Sequence, residues 1–140
     1  MKLAGYSIID STKHILEKNP EYYWEILPAT AQHEMAMQKF LLQNRTVITP
    51  DGVKRDYPPT VIEVALREIS LVFGGTNIPA DPEKPVEDGG EPILKMGDPL
   101  EKIEKVLTQF PTNLIDELWF AITAANPEWG TCPKKVKSQA

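Results

Sequence analysis

The stretch VALREISLVFGGTNIP, residues 64–79, decides how this chain is read. A helical pattern runs into two glycines and then into a segment rich in proline. Phosphate-binding glycines precede a helix, where free N–H groups and the positive end of the dipole face the anion. Gly74 and Gly75 follow one, where free carbonyls would repel phosphate. Their position instead predicts a left-handed C-cap that closes the helix.

Upstream, Pro59 suits a first helical turn, and Ile62, Ala65, Leu66, Ile69, Val72 and Phe73 recur at helical spacing. Glu63, Arg67, Glu68 and Ser70 are assigned to the polar side. ATAQHEMAMQKFLLQN predicts a second helix, with Met35, Ala36, Phe40 and Leu41 on one side and Met37 and Leu42 widening the stripe. DSTKHILEKNP predicts a short helix capped by Asp10 or Ser11 and stopped by Pro20. EYYWEILP fits either a helical turn or an extended segment. Between the helices expected at 29–44 and from Pro59 onward, Val47 and Ile48 precede Pro50-Asp51-Gly52, with Val53 and Tyr57 beyond. That is the pattern of a small β-hairpin, which has too little apolar surface to stand alone and is expected to lean on the helices.

Downstream, GGTNIPADPEKPVEDGGEPILKMG contains four prolines and five glycines, which predicts a long acidic loop. A helix then opens with Asp98 as N-cap, Pro99 at the first position and Glu101 closing a capping box, with Leu100, Ile103, Leu107 and Phe110 as its stripe. The last helix, PTNLIDELWFAITAAN, turns Leu114, Ile115, Leu118, Trp119 and Ile122 inward. The expected architecture is mainly α: a compact bundle of about five helices with one small β-hairpin. Residues 1–126 form the domain, with 76–97 as a flexible loop, and residues 127–140 form a C-terminal tail.

Composition narrows the function. With 140 residues the chain makes one domain, large enough to bury a core without disulfides. A net charge of −5 argues against nucleic acid, which demands a basic face. Lys134, Lys135 and Lys137 are too few to hold it at physiological salt. The single cysteine, Cys132, points to a reducing compartment, and MKLAGYSIID lacks the apolar core of a signal peptide. No apolar run approaches the length of a membrane span. A cytosolic location is expected.

No catalytic pattern stands out. HEMAM, residues 33–37, places methionine where a zinc-binding helix needs its second histidine, so His33 is a surface or partly buried side chain and no metal is expected. Asp81, Glu83, Glu87, Asp88 and Glu91 lack the spacing of a calcium loop. Cys132, between Gly-Thr and Pro-Lys-Lys, is a spare thiol in a loosely held tail. No cofactor and no enzymatic activity are expected. The surface candidates are Tyr22, Tyr23 and Trp24, which cannot all point inward, and the adaptable Met35 and Met37.

The order of parts carries a resemblance. YYWEILPATAQHEMAMQKFL enters a helix through a proline, PTVIEVALREISLVFGGTNIP ends in glycines, and an acidic Pro/Gly loop and a helical back half follow. Over about residues 20–125 this layout resembles the small tail assembly chaperones of long-tailed bacteriophages. The resemblance implies a largely helical, non-enzymatic protein that binds the tape measure protein, keeps it soluble and recruits tail tube subunits. Homo-oligomers are expected. Many members are made in two lengths by ribosomal frameshifting, and Pro133-Lys134-Lys135 can be encoded by a slippery heptamer. Two other readings compete: a small adaptor or minor tail protein of the virion, and a small inhibitor of a host enzyme acting through the acidic loop.

Overall fold

The computed structural model describes residues 10–43 and 45–132. Within them lie four α-helices and five β-strands, so the expectation of a five-helix bundle is overturned in favour of a mixed α/β fold. The order is β1 (Thr12–Ile15), β2 (Tyr23–Ile26), α1 (Ala31–Leu41), β3 (Arg45–Ile48), β4 (Lys54–Tyr57), α2 (Val61–Leu71), β5 (Phe73–Thr76), α3 (Leu100–Leu107) and α4 (Thr112–Ala125). β1, β2 and β5 form one antiparallel sheet in the order β1-β2-β5, and β3 and β4 form a separate hairpin.

The segment expected as the first helix is β1. It offers a helix only one adjacent apolar pair, Ile15-Leu16, with no second turn to bury. As a strand it pairs His14 with Trp24 and Ile15 with Tyr23, and Leu16 N–H donates to Tyr22 O at 3.1 Å. Alternation turns His14 and Leu16 toward the body and Lys13 and Ile15 toward solvent. EYYWEILP is the extended of its two alternatives, and Trp24 and Ile26 enter the core.

The two glycines do not cap a helix. α2 ends at Leu71, its C-cap is Val72 in no left-handed conformation, and Gly74-Gly75 lie inside β5. The reason is close approach to β2. A Cβ on Gly74 would sit 3.1 Å from Leu27 Cδ2 and 3.2 Å from Glu25 O, and Gly75 has φ +129° beside the register shift at Glu25 and Ile26.

α2 is also rotated from its expected orientation. Its buried residues are Val64, Ala65, Glu68, Ile69 and Ser70, while Ile62 is exposed. Thr60 is its N-cap, accepting from Glu63 N–H at 3.3 Å as Glu63 Oε1 accepts from Thr60 N–H at 3.1 Å. Pro59 stands outside the helix. In α1 only Met37 is buried, and Met35, Leu41 and Leu42 face solvent. α3 begins one residue later than expected, with Pro99 as N-cap. Asp98 instead accepts from Lys95 N–H at 2.8 Å and pairs with Lys102 Nζ at 3.2 Å. α4 turns Ile115, Leu118, Trp119 and Ile122 inward as its stripe predicts.

The core lies between the inner face of the three-stranded sheet and α2, α3 and α4, with Trp24, Ile69, Leu107, Leu118 and Ile122 at its centre. Trp24 stacks obliquely on Phe73, ring centres 4.7 Å apart, and edge-on to Phe110 at 6.0 Å. Its indole N–H has no hydrogen-bond acceptor among the described residues. In the acidic loop, Ala80 N–H donates to Glu91 O at 2.9 Å and Ile93 N–H to Ile78 O at 2.7 Å, and Leu94 is fully buried. Among the described residues no helix is long and apolar enough to cross a membrane.

Candidate functional site

Two surfaces stand apart from this frame. The first is the hairpin. Thr49 N–H donates to Val53 O at 2.9 Å, the Thr49 hydroxyl donates to Asp51, and Gly52 takes φ +81° to close the turn. The Thr49 hydroxyl and the Val53 N–H hold the Asp51 carboxyl below the ordinary aspartate range. Between Thr46 and Pro58 every side chain except that of Thr49 is exposed. Among the described residues, the expected packing of the hairpin against the helices does not bury its side chains. Val47 and Tyr57 emerge on one face and Ile48 on the other. Ile48 is 68% exposed, and the flanking chain adds further apolar exposure at Leu42, 82%, and Val61, 66%.

The second surface is a cleft of about 870 Å³ between α4 and the edge of β1 that pairs with no other described strand. Ile15, Ile26, Phe120, Ala121 and Ala124 line it, with Lys13, Lys18 and Glu17 at its rim. His14 Nε2 and Glu117 Oε2 meet at 2.6 Å, and Glu117 also accepts from Glu17 N–H at 3.1 Å. This carboxylate thus ties the last turn of β1 to α4. Lys13 Nζ lies 4.5 Å from the centre of the Tyr23 ring, folded onto the outer sheet face. Among the described residues that line the cleft, Thr12 is the one that carries a hydroxyl.

The residues singled out in the sequence are scattered. Trp24 and Met37 belong to the core, Tyr22 and Tyr23 are half-buried, and Met35 is exposed on α1. They form no single patch. His33 is part-buried, its Nδ1 accepts from Thr30 N–H at 3.0 Å, and burial lowers its pKa below 6.5. Cys132 is buried in the core. The reading of a loosely held thiol is therefore corrected: Trp129 and Cys132 both pack inward. Lys134, Lys135, Lys137 and the Pro133-Lys134-Lys135 run lie outside the described residues. No group of three His, Cys, Asp or Glu among the described residues is placed to hold a metal ion.

Sequence reasoning missed the residue that anchors this end of the chain. Glu68, fully buried, accepts from Trp119 Nε1–H at 2.7 Å, from Thr131 N–H at 3.0 Å and from the Thr131 hydroxyl at 2.9 Å. Gly130, at φ +100°, lets the backbone cross the carboxylate, since a Cβ there would lie 3.3 Å from Oε1. The signal was present in the spacing. Val64, Ala65, Glu68, Ile69 and Val72 form one continuous helical stripe with the acid at its middle. The hairpin was recognised as structure but not as a surface. Its β-branched residues on both faces, beside Leu42 and Val61, were the available signal.

Compared with protein-family models, curated proteins and solved structures, the chain matches none.

Proposed function

We propose that this chain is a non-enzymatic protein that binds another polypeptide during assembly of a long phage tail, a chaperone for the tape measure or tail tube protein. One observation carries the polypeptide-binding part: the β3–β4 hairpin exposes apolar side chains on both faces and stands away from the core. Two strands by themselves are marginal in water, and large exposed apolar side chains are characteristic of interaction sites. A client that adds a strand or lays an apolar helix face on the hairpin covers these groups. The layout described above supplies the phage-tail part of the reading.

Co-expression tests it. The tape measure protein is expected to remain soluble and to co-purify with the wild-type chain. Capture is expected to fall at least tenfold for Ile48→Lys with Val47→Lys, at unchanged chain stability. Equal capture by wild type and the double variant contradicts the assignment to the hairpin. Failure of both tape measure and tube protein to associate with the wild type contradicts the reading itself. Mass spectrometry of finished virions separates a chaperone, which is absent from them, from an adaptor or minor tail protein, which is retained.

A further inference from the structure

The edge of β1 is a second polypeptide-binding surface, and its geometry names the partner. Leu16 N–H bonds back to β2, so in an antiparallel ladder the backbone groups of Leu16 and His14 point inward. Those of Lys13, Ile15 and Glu17 point outward, along the cleft. Glu17 N–H is already taken by Glu117. Within β1 (Thr12–Ile15), the outward groups with no partner among the described residues are therefore those of Lys13 and Ile15. Edge lysines usually block such pairing. Here Lys13 is drawn onto the Tyr23 ring, away from the edge.

We infer that β1 pairs antiparallel with β1 of a second copy of this chain, about a two-fold axis through His14, joining two three-stranded sheets into one. The register follows by elimination: centring on Thr12 sets the mate's Lys13 against Ser11, which lies outside β1. A two-fold pairing must set outward residues against outward residues. Centring on Lys13 opposes two lysines directly, which is destabilising. Centring on Ile15 requires the Glu17 N–H that Glu117 holds. Centring on His14 opposes Lys13 to the mate's Ile15 twice, and each such pair exchanges two hydrogen bonds. It also carries Asp10 toward the mate's Lys18, a complementary pair. Because the axis is perpendicular to the joined sheet, α4 of both copies lies on the same side. The half-exposed Phe120 of each then enters the cleft of the other, where Ala121 and Ala124 leave room.

This inference does not depend on the hairpin reading, and its test uses no client. Light scattering of the purified full chain is expected to give twice the 15.7 kDa chain mass at micromolar concentration. Ile15→Pro removes an outward N–H without touching the bonds to β2, and is expected to halve the mass while the circular dichroism is retained. His14→Cys provides a second readout that survives even if the proline variant unfolds. Opposed residues at the axis stand about 4.5 Å apart between Cα atoms, so this variant is expected to crosslink to dimer under mild oxidation. Thr12→Cys, opposite the mate's Leu16, is not. A chain monomeric at all concentrations overturns the proposal. So does a dimer indifferent to Ile15→Pro, or one that crosslinks through Thr12→Cys and not through His14→Cys.

Discussion

The described residues form two small sheets built from strands of four residues each, and they are stabilised in opposite ways. In β1-β2-β5 one face is closed by α4 and the core, and side chains bind the strand ends. The Thr76 hydroxyl donates to Tyr23 O at 2.6 Å, Asn77 Oδ1 accepts from Tyr23 N–H at 2.7 Å, and Glu117 holds Glu17 N–H. In β3–β4 the ladder is regular, yet both faces meet solvent and the cross-links are local: Thr46 to Asp56 at 2.7 Å, Thr49 to Asp51 and Val53. A strand of this length draws its stability from what covers it rather than from its own ladder. In the proposed reading, an uncovered hairpin beside a well-packed body is the surface that another chain would cover.

The sharpest break between the two regions is a pair of truncations. Leu118→Ala removes a fully buried core side chain and is expected to destabilise the fold by about 2–5 kcal/mol. Ile48→Ala removes a side chain of similar size from the hairpin and is expected to change global stability by no more than about 0.5 kcal/mol. Urea midpoints at constant m-value measure both. Comparable losses would mean that the hairpin belongs to the cooperative core.

Next in size is the anchor at Glu68. Glu68→Ala leaves the Trp119 indole N–H and the Thr131 donors without their acceptor, at about 1–3 kcal/mol. It is also expected to free residues 129–132, so that Cys132 reacts with a thiol reagent under native conditions. Unchanged thiol protection in this variant would show that Glu68 does not hold the segment.

The smallest effects are titrations, and they divide by region. Burial lowers the pKa of His33, so its neutral form, which accepts Thr30 N–H, is favoured in the fold. That contribution is complete above the unfolded value near 6.5 and is lost as pH falls through the lower folded value. The Asp51 carboxyl is likewise depressed, so its hold on the hairpin turn is complete above about pH 4 and fades with further acidification. NMR titration is expected to show α1 N-terminal amides shifting first and hairpin amides later. A His33 midpoint above 6.5 would contradict the first half, and a raised Asp51 midpoint the second.

Legibility in the sequence followed the range of the forces involved. The hairpin could be read because Pro50-Asp51-Gly52 is a local turn signal, and α4 because its stripe repeats over several turns. β1 and β5 could not. Each is four residues long and exists because it pairs with β2; Trp24 opposite Thr76 is a contact that no window on Gly74-Gly75 contains. Glu68 was assigned outward because it is an acid, but its donors, Trp119 and Thr131, lie 51 and 63 residues further on. Among the surface candidates, Met35 is exposed while Trp24 and Met37 fill the core, because alternation in β2 and the rotation of α1 were set by packing.

Amide hydrogen exchange, measured on the free chain and again with the tape measure protein present, tests the central claim most directly. The account predicts that in the free chain residues 46–57 exchange orders of magnitude faster than β2 and α4, and that client binding protects this hairpin above all other segments. A hairpin already as protected as β2 in the free chain, or a client that protects other segments and leaves the hairpin unchanged, would contradict it.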